Sequence, residues 1–298
     1  MTPELRQLRY FVAVAETTSF TRAAAALHIA QQSLSQQISV LERQLGARLF
    51  DRDARGTRLT PVGELFLPEA RAVLARADAA VATVARAVRG EIGALRLAFL
   101  ASTANYLLPP VVRAVREQLP ELTVTTAEVS IAELVDGVRD GRFDAGFTRP
   151  PLVDGLATHV LLTEQVCAVL PSGHRLADRS TLRLADLADE PWVLTPRASW
   201  DPWHRKYDAD FAAAGFTPDV VQRTATVQGL LGLVAAGVGV TRLAGSAHSL
   251  RRTGVVFVPL EGETAHTVVV WRADGPRPAA LLDVATRLAE TTDLSGAG

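Results

Sequence analysis

The sequence of 298 residues has a single cysteine and no long apolar run, and both absences exclude whole classes of protein. One thiol, Cys167, rules out an intramolecular disulfide framework and a cysteine-rich metal site. Its neighbours form an apolar, strand-like run, so we expect a buried and inert thiol. The longest nearly uncharged run, over 229–240, is too short to span a membrane.

The first residues also lack the features of a secretory signal. Residues 1–11 contain Glu4, Arg6 and Arg9 but no apolar core and no small-residue cleavage site. We therefore expect a cytoplasmic protein that makes no contact with a membrane. A composition of 48% hydrophobic and 21% charged residues suits folded domains, and the length suggests two or three of them.

Positive charge is concentrated at one end of the chain, although the net charge is −1. Residues 1–60 contain eight arginines and five acidic residues, a balance of +3, so residues 61–298 carry −4. Such an asymmetry favours a chain that contacts phosphates at its N-terminal end only.

Apolar spacing over residues 5–45 predicts three helices, the second N-capped by Ser19 and the third ended by Gly46. The third helix buries one face, formed by Leu34, Ile38, Leu41 and Leu45. Its other face begins with glutamine and serine instead of lysine and glutamate: Gln31, Gln32, Ser33, Ser35 and Gln36. Such side chains both donate and accept hydrogen bonds, which suits base edges in a major groove. The alternative is an ordinary polar face of a helix bundle.

A short basic hairpin is predicted directly after this helix. Arg52, Arg55 and Arg58 are spaced three apart around a turn that contains Gly56. We expect these arginines to contact DNA together with the third helix; the alternative is a solvated basic loop.

A long helix is predicted over residues 61–90, because Thr60 and Pro61 suit an N-cap and a first helical position. Only Pro68 interrupts the pattern before Gly90. One apolar stripe consists of Phe66, Ala70, Val73, Ala77, Ala80 and Val84, and a second of Leu67, Leu74, Val81 and Val88. We expect the same helix of a second subunit to cover this seam, giving a dimer through residues 61–89. The alternative is packing within one chain.

From about residue 91 the pattern changes to alternating strands and helices, which predicts an α/β domain with mostly parallel sheets. The strands are predicted at 95–101, 122–127, 144–148, 192–195, 238–243 and 267–272. The helices are predicted at 106–119, 131–140, 202–214, 227–236 and 277–290. About 205 residues suggest two lobes, with strands near 159–170 and 261–272 crossing between them.

Hydroxyl residues stand at several of the predicted strand-to-helix junctions, namely Ser102, Thr103, Ser130, Ser199 and Thr226. Helix N-termini at the carboxyl ends of strands offer free N–H groups, which suit a small carboxylate. The alternative is that each hydroxyl only caps its own helix. Arg149 is either an ion-pair partner for that ligand or a surface arginine. Trp200 and Trp203 either stack against an aromatic ring or pack in the core.

Residues 5–70 resemble the winged helix-turn-helix head of the LysR-type transcriptional regulators. The matching stretches are 8–16, 19–28, 31–38, 41–46, 49–52 and 59–63. Residues 107–110, 130–134, 141–146 and 233–239 resemble the co-inducer-binding domain of the same family, which is itself similar to periplasmic solute-binding proteins. Arg149–Pro151 and Gly155–Leu156 resemble the branch that senses aromatic-catabolism carboxylates.

The resemblance implies an α+β chain in two parts. A winged helix-turn-helix DNA-binding domain would occupy 1–60, a linker and dimerisation helix 61–90, and a two-lobed, periplasmic-binding-protein-like α/β domain 91–298. Lobe I would comprise about 91–162 and 267–298, and lobe II about 163–266.

The family also implies partners and a ligand site. The partners would be a pseudo-palindromic double-stranded DNA site, a second copy of the chain, often within a tetramer, and RNA polymerase. Residues that match Ser102, Ser130, Arg149, Ser199 and Thr226 line the effector cleft in this family.

Three residues of the head depart from the family pattern. Ala30 stands where a serine or threonine commonly caps the third helix, Gln32 where a proline is common, and Gln36 where an arginine is common. The cap should therefore be weaker or come from another residue, and Gln36 favours adenine where an arginine would favour guanine.

An enzyme is not expected. The sequence has no Gly-x-Ser-x-Gly, P-loop or His-Glu-x-x-His motif, and its six histidines are scattered. Ser199, Asp201 and His204 lie too close in sequence to be assumed a catalytic triad. We expect no cofactor and no metal, only a small-molecule co-inducer. The remaining alternative is a solute-binding protein with the C-terminal fold.

Overall fold

A computed structural model describes residues 2–53 and 56–291, with the side chains of Arg52 and Asp53 excepted. The chain divides into two compact units, one up to Arg86 and one from Ala87 onward. None of the helices in these described ranges is long and apolar enough to cross a membrane.

The first unit contains the three predicted helices and the hairpin. Its elements are α1 (Leu5–Thr17), α2 (Phe20–Ala26), α3 (Gln31–Leu45), β1 (Phe50–Asp53), β2 (Gly56–Leu59) and most of α4 (Pro61–Val88). Ser19 caps α2 by accepting a hydrogen bond from the Arg22 backbone N–H, and Gly46 ends α3 with φ +68°. Ala30 provides no side-chain cap for α3, as its methyl group dictates.

A small aromatic core holds this unit together. The ring of Phe11 lies 5.3 Å from that of Phe50, which lies 5.7 Å from Phe20. Leu34, Ile38 and Leu41 are fully buried against these rings. The prediction for Leu45 was wrong, because the last residue of α3 is 37% exposed.

The apolar seam of α4 is divided between two environments. Ala70 is buried, and Phe66, Leu67 and Leu74 pack partly buried against the core of the first unit. Val73, Val81, Val84 and Val88 are exposed, and Val88 is 82% exposed. Packing within one chain therefore covers Phe66, Leu67, Ala70 and Leu74, while Val73 and the valines of the second half of α4 stay exposed.

The second unit is built on a six-stranded sheet and a two-stranded sheet. Its elements are β3 (Gly93–Leu100), α5 (Ala101–Gln118), β4 (Leu122–Val129), α6 (Ile131–Arg139), β5 (Ala145–Thr148), β6 (Leu156–Pro171), β7 (Pro191–Leu194), α7 (Asp201–Ala213), β8 (Asp219–Arg223), α8 (Val227–Ala235), β9 (Thr241–Ala244), β10 (Val255–Arg272) and α9 (Ala279–Thr291). The large sheet has the order β4-β3-β5-β10-β6-β9, and β7 pairs with β8.

The prediction of mostly parallel sheets was wrong. Among the strand pairs of the described residues in this unit, β3–β4, β3–β5 and β7–β8 run parallel. β10 is antiparallel to β5 and β6, and β6 is antiparallel to β9. The reason is that β6 and β10, with 16 and 18 residues, cross the domain in opposite directions and pair along most of their length.

The two crossing strands contribute to different cores at their two ends. Leu161 and Val269 belong to a core with the stacked rings of Phe99 and Phe147, 4.6 Å apart. Val166 and Val258 belong to another core, around Trp192 and Phe211. The unit therefore has two lobes, which we call lobe I and lobe II, and β6 and β10 connect them.

Gly63 offers a test of how closely α4 is fitted to the first unit. A Cβ at this position would lie 2.2 Å from the backbone oxygen of Leu49, which cannot rotate away. We expect Gly63→Ala to destabilise the first unit by about 1–3 kcal/mol in urea unfolding, because backbone must shift to admit the methyl group. Gly232→Ala is the control, since nothing lies within 4 Å of that Cβ. If the first unit had the same unfolding free energy in Gly63→Ala as in Gly232→Ala, the packing described would be contradicted.

Candidate functional site

The polar face of α3 lies on the side of the helix that is turned away from the core of the first unit. Gln31, Gln32, Ser33 and Gln36 are exposed and Ser35 is half-buried, opposite the buried leucine and isoleucine face. All five predicted residues therefore lie on one helix. Thr21 at the start of α2 donates a hydrogen bond from its hydroxyl to Gln31 Oε1, with 3.1 Å between the oxygens.

The hairpin forms as predicted and is fixed to the end of α3. Asp51 pairs in register with Arg58, whose side chain is exposed. Glu42 Oε1 accepts hydrogen bonds from the backbone N–H groups of Leu49 and Phe50, at 2.8 and 3.2 Å. The side chain of Arg52, and all of Arg55, lie outside the described residues.

A cavity of about 730 Å³ lies between the two lobes of the second unit. Ser102 of α5 and Arg149–Pro151 after β5 line it from lobe I. Lobe II contributes Trp203, Lys206, Tyr207 and Asp210 of α7, Arg242 of β9, Ser246 and Glu263.

The structure brings three of the eight candidate effector residues, Ser102, Arg149 and Trp203, to the cavity wall. Helix α5 begins at Ala101, five residues before its predicted start, so Ser102 and Thr103 are helical. Thr103 is fully buried, and its hydroxyl oxygen lies 2.8 Å from the backbone oxygens of Leu100 and Phe147. Its hydroxyl is therefore used inside lobe I.

Of the other predicted hydroxyl residues, two cap their own helices and one caps none. Ser130 forms a capping box with Glu133 at the exposed start of α6, and Thr226 accepts from the Gly229 N–H at the start of α8. Ser199 caps nothing, because the N-cap of α7 is Trp200 and no side chain bonds there. The indole of Trp200 donates to the Pro151 carbonyl at 2.8 Å, and that of Trp203 to the Arg149 carbonyl at 3.3 Å.

Arg149 is the centre of a polar network that joins both lobes. Its Nη2 lies 3.0 Å from the Tyr106 hydroxyl, 2.8 Å from Glu164 Oε1 and 2.9 Å from Ser246 Oγ. Glu164 Oε2 also accepts from the Ser246 backbone N–H at 2.6 Å. The side chain is 13% exposed, so the alternative of a surface arginine was wrong. Nη1 is buried and has no hydrogen-bond partner among the described residues.

A second charged group lies in lobe II around Arg242, whose side chain is 5% exposed. Its Nη2 bonds Asp210 at 2.5 Å and its Nη1 lies 3.1 Å from Glu263 Oε2. Its guanidinium stands 4.4 Å from the ring centre of Tyr207. Lys206, the only lysine in the sequence, bonds Asp210 at 2.7 Å.

The two carboxyls beside Arg242 respond differently to their surroundings. Burial acts to raise the pKa of Asp210, but hydrogen bonds from Lys206 and Arg242 outweigh it and lower that pKa. Burial raises the pKa of Glu263, and the charge of Arg242 only partly opposes it. Glu263 is therefore the more easily protonated carboxyl of this group.

Most of this charged network was missed at the sequence level. Glu164, Asp210, Arg242, Ser246 and Glu263 are scattered over a hundred residues and meet only through the fold. A signal did exist, because Glu164 and Arg242 are single charges inside apolar strand runs, where an unpaired charge is costly.

Cys167 is buried in β6, as expected. Burial, with a smaller contribution from Glu164, raises the pKa of its thiol to about 11, so the unreactive protonated form prevails near neutral pH. Across residues 2–53 and 56–291, no three histidine, cysteine or acidic side chains converge in a way that could hold a metal ion.

Comparison with known proteins identifies both parts of the chain. A family model described as the LysR substrate binding domain matches residues 89–293, and one described as the bacterial regulatory helix-turn-helix protein, lysR family, matches residues 5–64. The HTH-type transcriptional regulator AlsR of Bacillus subtilis is 33% identical over 279 residues, which cover 92% of each chain.

Solved structures show the same likeness. The crystal structure of CbnR, a LysR family transcriptional regulator, is 27% identical with a TM-score of 0.66, covering 95% of this chain and 99% of that one. Full-length CbnR in complex with its target DNA is 27% identical with a TM-score of 0.59, covering 96% and 99%.

The ion pair of Arg149 and Glu164 generates a stability prediction. Glu164→Ala leaves the buried guanidinium without its counter-charge, so we expect a loss of about 3–5 kcal/mol in unfolding free energy. Asp208→Ala is the control, because Asp208 forms a two-bond pair with Arg197 at 2.9 Å while both remain about half exposed. We expect about 0–1 kcal/mol for that variant. Similar losses in urea unfolding would contradict the burial assigned to Arg149.

Proposed function

Because the chain belongs to the LysR family of transcriptional regulators, we propose that the cavity around Arg149 binds a small carboxylate that controls how the head binds DNA. The chain is a sequence-specific DNA-binding regulator with an effector-binding domain, and it is not an enzyme. The carboxylate, the contacting residues and the assembly belong to the proposal.

In this proposal, α3 enters a major groove of double-stranded DNA. Its polar face presents Gln31, Gln32, Ser33, Ser35 and Gln36 to the base edges, and Arg58 of the hairpin contacts phosphate, joined by Arg52 and Arg55. The exposure of this face and the fixed start of the hairpin at Glu42 support it.

A homodimer through residues 61–89 is proposed on the exposed part of α4. Val81, Val84 and Val88 are each more than half exposed in one chain, and such a row of apolar side chains is stabilised when a second helix covers it. Two heads would then contact two halves of a pseudo-palindromic site. Association into tetramers and contact with RNA polymerase are further parts of the proposal.

The observation that carries the ligand proposal is the unpartnered nitrogen of Arg149. Nη1 is buried without a hydrogen-bond partner in the described structure, and Arg149 lines the cavity between the lobes. An unsatisfied donor on a charged group is costly, and a ligand carboxylate supplies the missing acceptor. Trp203 and the prolines after Arg149 add apolar walls suited to an aromatic or aliphatic ligand.

Arg149 also offers a route from ligand to lobe arrangement. It lies at the end of β5 in lobe I, while Ser246 follows β9 in lobe II and Glu164 lies on the crossing strand β6. A carboxylate bound at Nη1 adds a second anion to the guanidinium whose Nη2 holds these two partners, weakens its hold on Glu164, and so favours a different arrangement of the lobes. A coupling of about 1–3 kcal/mol would change DNA occupancy from several-fold to about a hundred-fold.

The experiment replaces Arg149 without leaving a charge uncompensated. The double variant Arg149→Met, Glu164→Gln removes both charges of the buried pair and keeps similar side-chain volumes. We expect the wild-type chain to gain thermal stability with one or more members of a panel that includes benzoate and aliphatic mono- and dicarboxylates. The double variant should lose that gain.

Ser130→Ala is the matched control, since Ser130 caps α6 and does not line the cavity. It should respond to the carboxylates like the wild type. A full response in the double variant, or no response in any wild-type titration, would overturn the assignment of a carboxylate to Arg149.

Carboxylate binding should also take up a proton at Glu263. The cavity pairs three cations with three carboxyls, so a further anion adds uncompensated negative charge beside a carboxyl whose pKa is already raised. The bound anion raises that pKa further, so affinity should fall as pH rises above the pKa of Glu263 in the free protein. Calorimetry in two buffers of different ionisation heat measures the proton uptake. Glu263→Gln should abolish it, and Glu261→Gln, at an exposed site on the same strand, should not.

A further inference from the structure

One hydrogen bond links the two helices of the helix-turn-helix at their N-terminal ends. Thr21 lies in the first turn of α2 and Gln31 is the first residue of α3. The Thr21 hydroxyl donates to Gln31 Oε1 across 3.1 Å, and both side chains are exposed. The partners are ten residues apart, so the bond spans the turn between the helices.

In this structure the bond turns the Oε1 end of the Gln31 amide toward α2. A glutamine that recognises adenine accepts from the base N6–H₂ through its oxygen and donates to N7 through its nitrogen. In this structure the oxygen of Gln31 is already directed toward Thr21. Because the oxygen and nitrogen stand at opposite corners of the amide, the N–H₂ group is the one left to face a base.

The other two glutamines of the polar face are not constrained in this way. Gln32 and Gln36 are exposed, and no hydrogen bond holds their amides among the described residues. Either amide can turn over to offer both its donor and its acceptor to a base. Gln31 therefore differs from Gln32 and Gln36 because its amide is held by a hydrogen bond, although all three are glutamines.

We infer that Thr21 is a positioning residue which holds Gln31 as a hydrogen-bond donor and so selects a base with acceptors at the position that Gln31 contacts. Guanine presents N7 and O6, and thymine presents O4, whereas adenine needs an acceptor beside the donor. The inference rests on the proposal that the α3 face contacts base edges. Thr21 would then contribute to the sequence preference without contacting a base itself.

The test is a selection from a randomised duplex library with the full-length protein and three variants. Gln31→Ala identifies the base position that Gln31 contacts, because that position loses its preference. Thr21→Val removes the hydroxyl but keeps the branched shape, and Thr21→Ser keeps the hydroxyl. Thermal unfolding followed by circular dichroism verifies that each variant is folded.

We expect the wild type and Thr21→Ser to select guanine or thymine at this position. Thr21→Val should raise the share of adenine there by about tenfold, because the released amide can then use its oxygen as an acceptor. Preferences at the other positions should stay the same.

Several results would overturn the inference. They are a wild-type preference for adenine at this position, an unchanged preference in Thr21→Val, and a Gln31→Ala variant that loses preference nowhere. A uniform loss of affinity in Thr21→Val would mean that the hydroxyl binds a phosphate instead. A wild type that enriches no sequence at all would refute the underlying DNA-contact proposal, which is a distinguishable outcome.

Discussion

The arrangement of the second unit depends on how one buried cation is neutralised. Arg149 stands at the end of β5, and a charge in that position is costly unless it is paired and hydrogen-bonded. Its partners come from α5, from the crossing strand β6 and from the segment after β9. A carboxylate at Nη1, as proposed, would bind the same guanidinium whose Nη2 joins the two lobes, so ligand binding and lobe arrangement would depend on one group.

The rest of the cavity follows the same rule of paired charges. Arg242 is held between Asp210 and Glu263 and against Tyr207, and Lys206 completes the pairing. The cavity is thus close to neutral before any ligand enters. Under the proposed function an anionic ligand would gain most at a donor that makes no hydrogen bond, and the described part of the cavity has two, Arg149 Nη1 and Arg242 Nη1. Its excess charge would be offset most easily at Glu263, whose pKa burial raises. The head differs, because α3 exposes a row of uncharged polar side chains to solvent.

The sequence predicted the features that depend on local pattern. Helical spacing, the Ser19 cap and the closing Gly46 defined the three head helices, and their side chains keep those roles in the structure. Long-range features were not predictable in the same way. Ser130 and Thr226 looked equivalent to Ser102, yet their hydroxyls cap helices and neither residue lines the cavity, although Val227, which follows Thr226, does. The antiparallel crossing of β6 and β10, and the meeting of Arg242 with Glu263, likewise arise only in the folded domain.

The central claim is that the ligand at Arg149 and the DNA at α3 are linked through one protein. Linkage requires that ligand changes DNA affinity by the same factor by which DNA changes ligand affinity. The most direct measurement is therefore both affinities, each with and without the other molecule, for a carboxylate found in the thermal screen and a DNA site found by selection. For the wild type, the account predicts that ligand and DNA each change the affinity for the other by the same factor, between about 5 and 150. For the Arg149→Met, Glu164→Gln variant it predicts no change in either affinity. A factor of one in the wild type, or the wild-type factor retained in the variant, would contradict it.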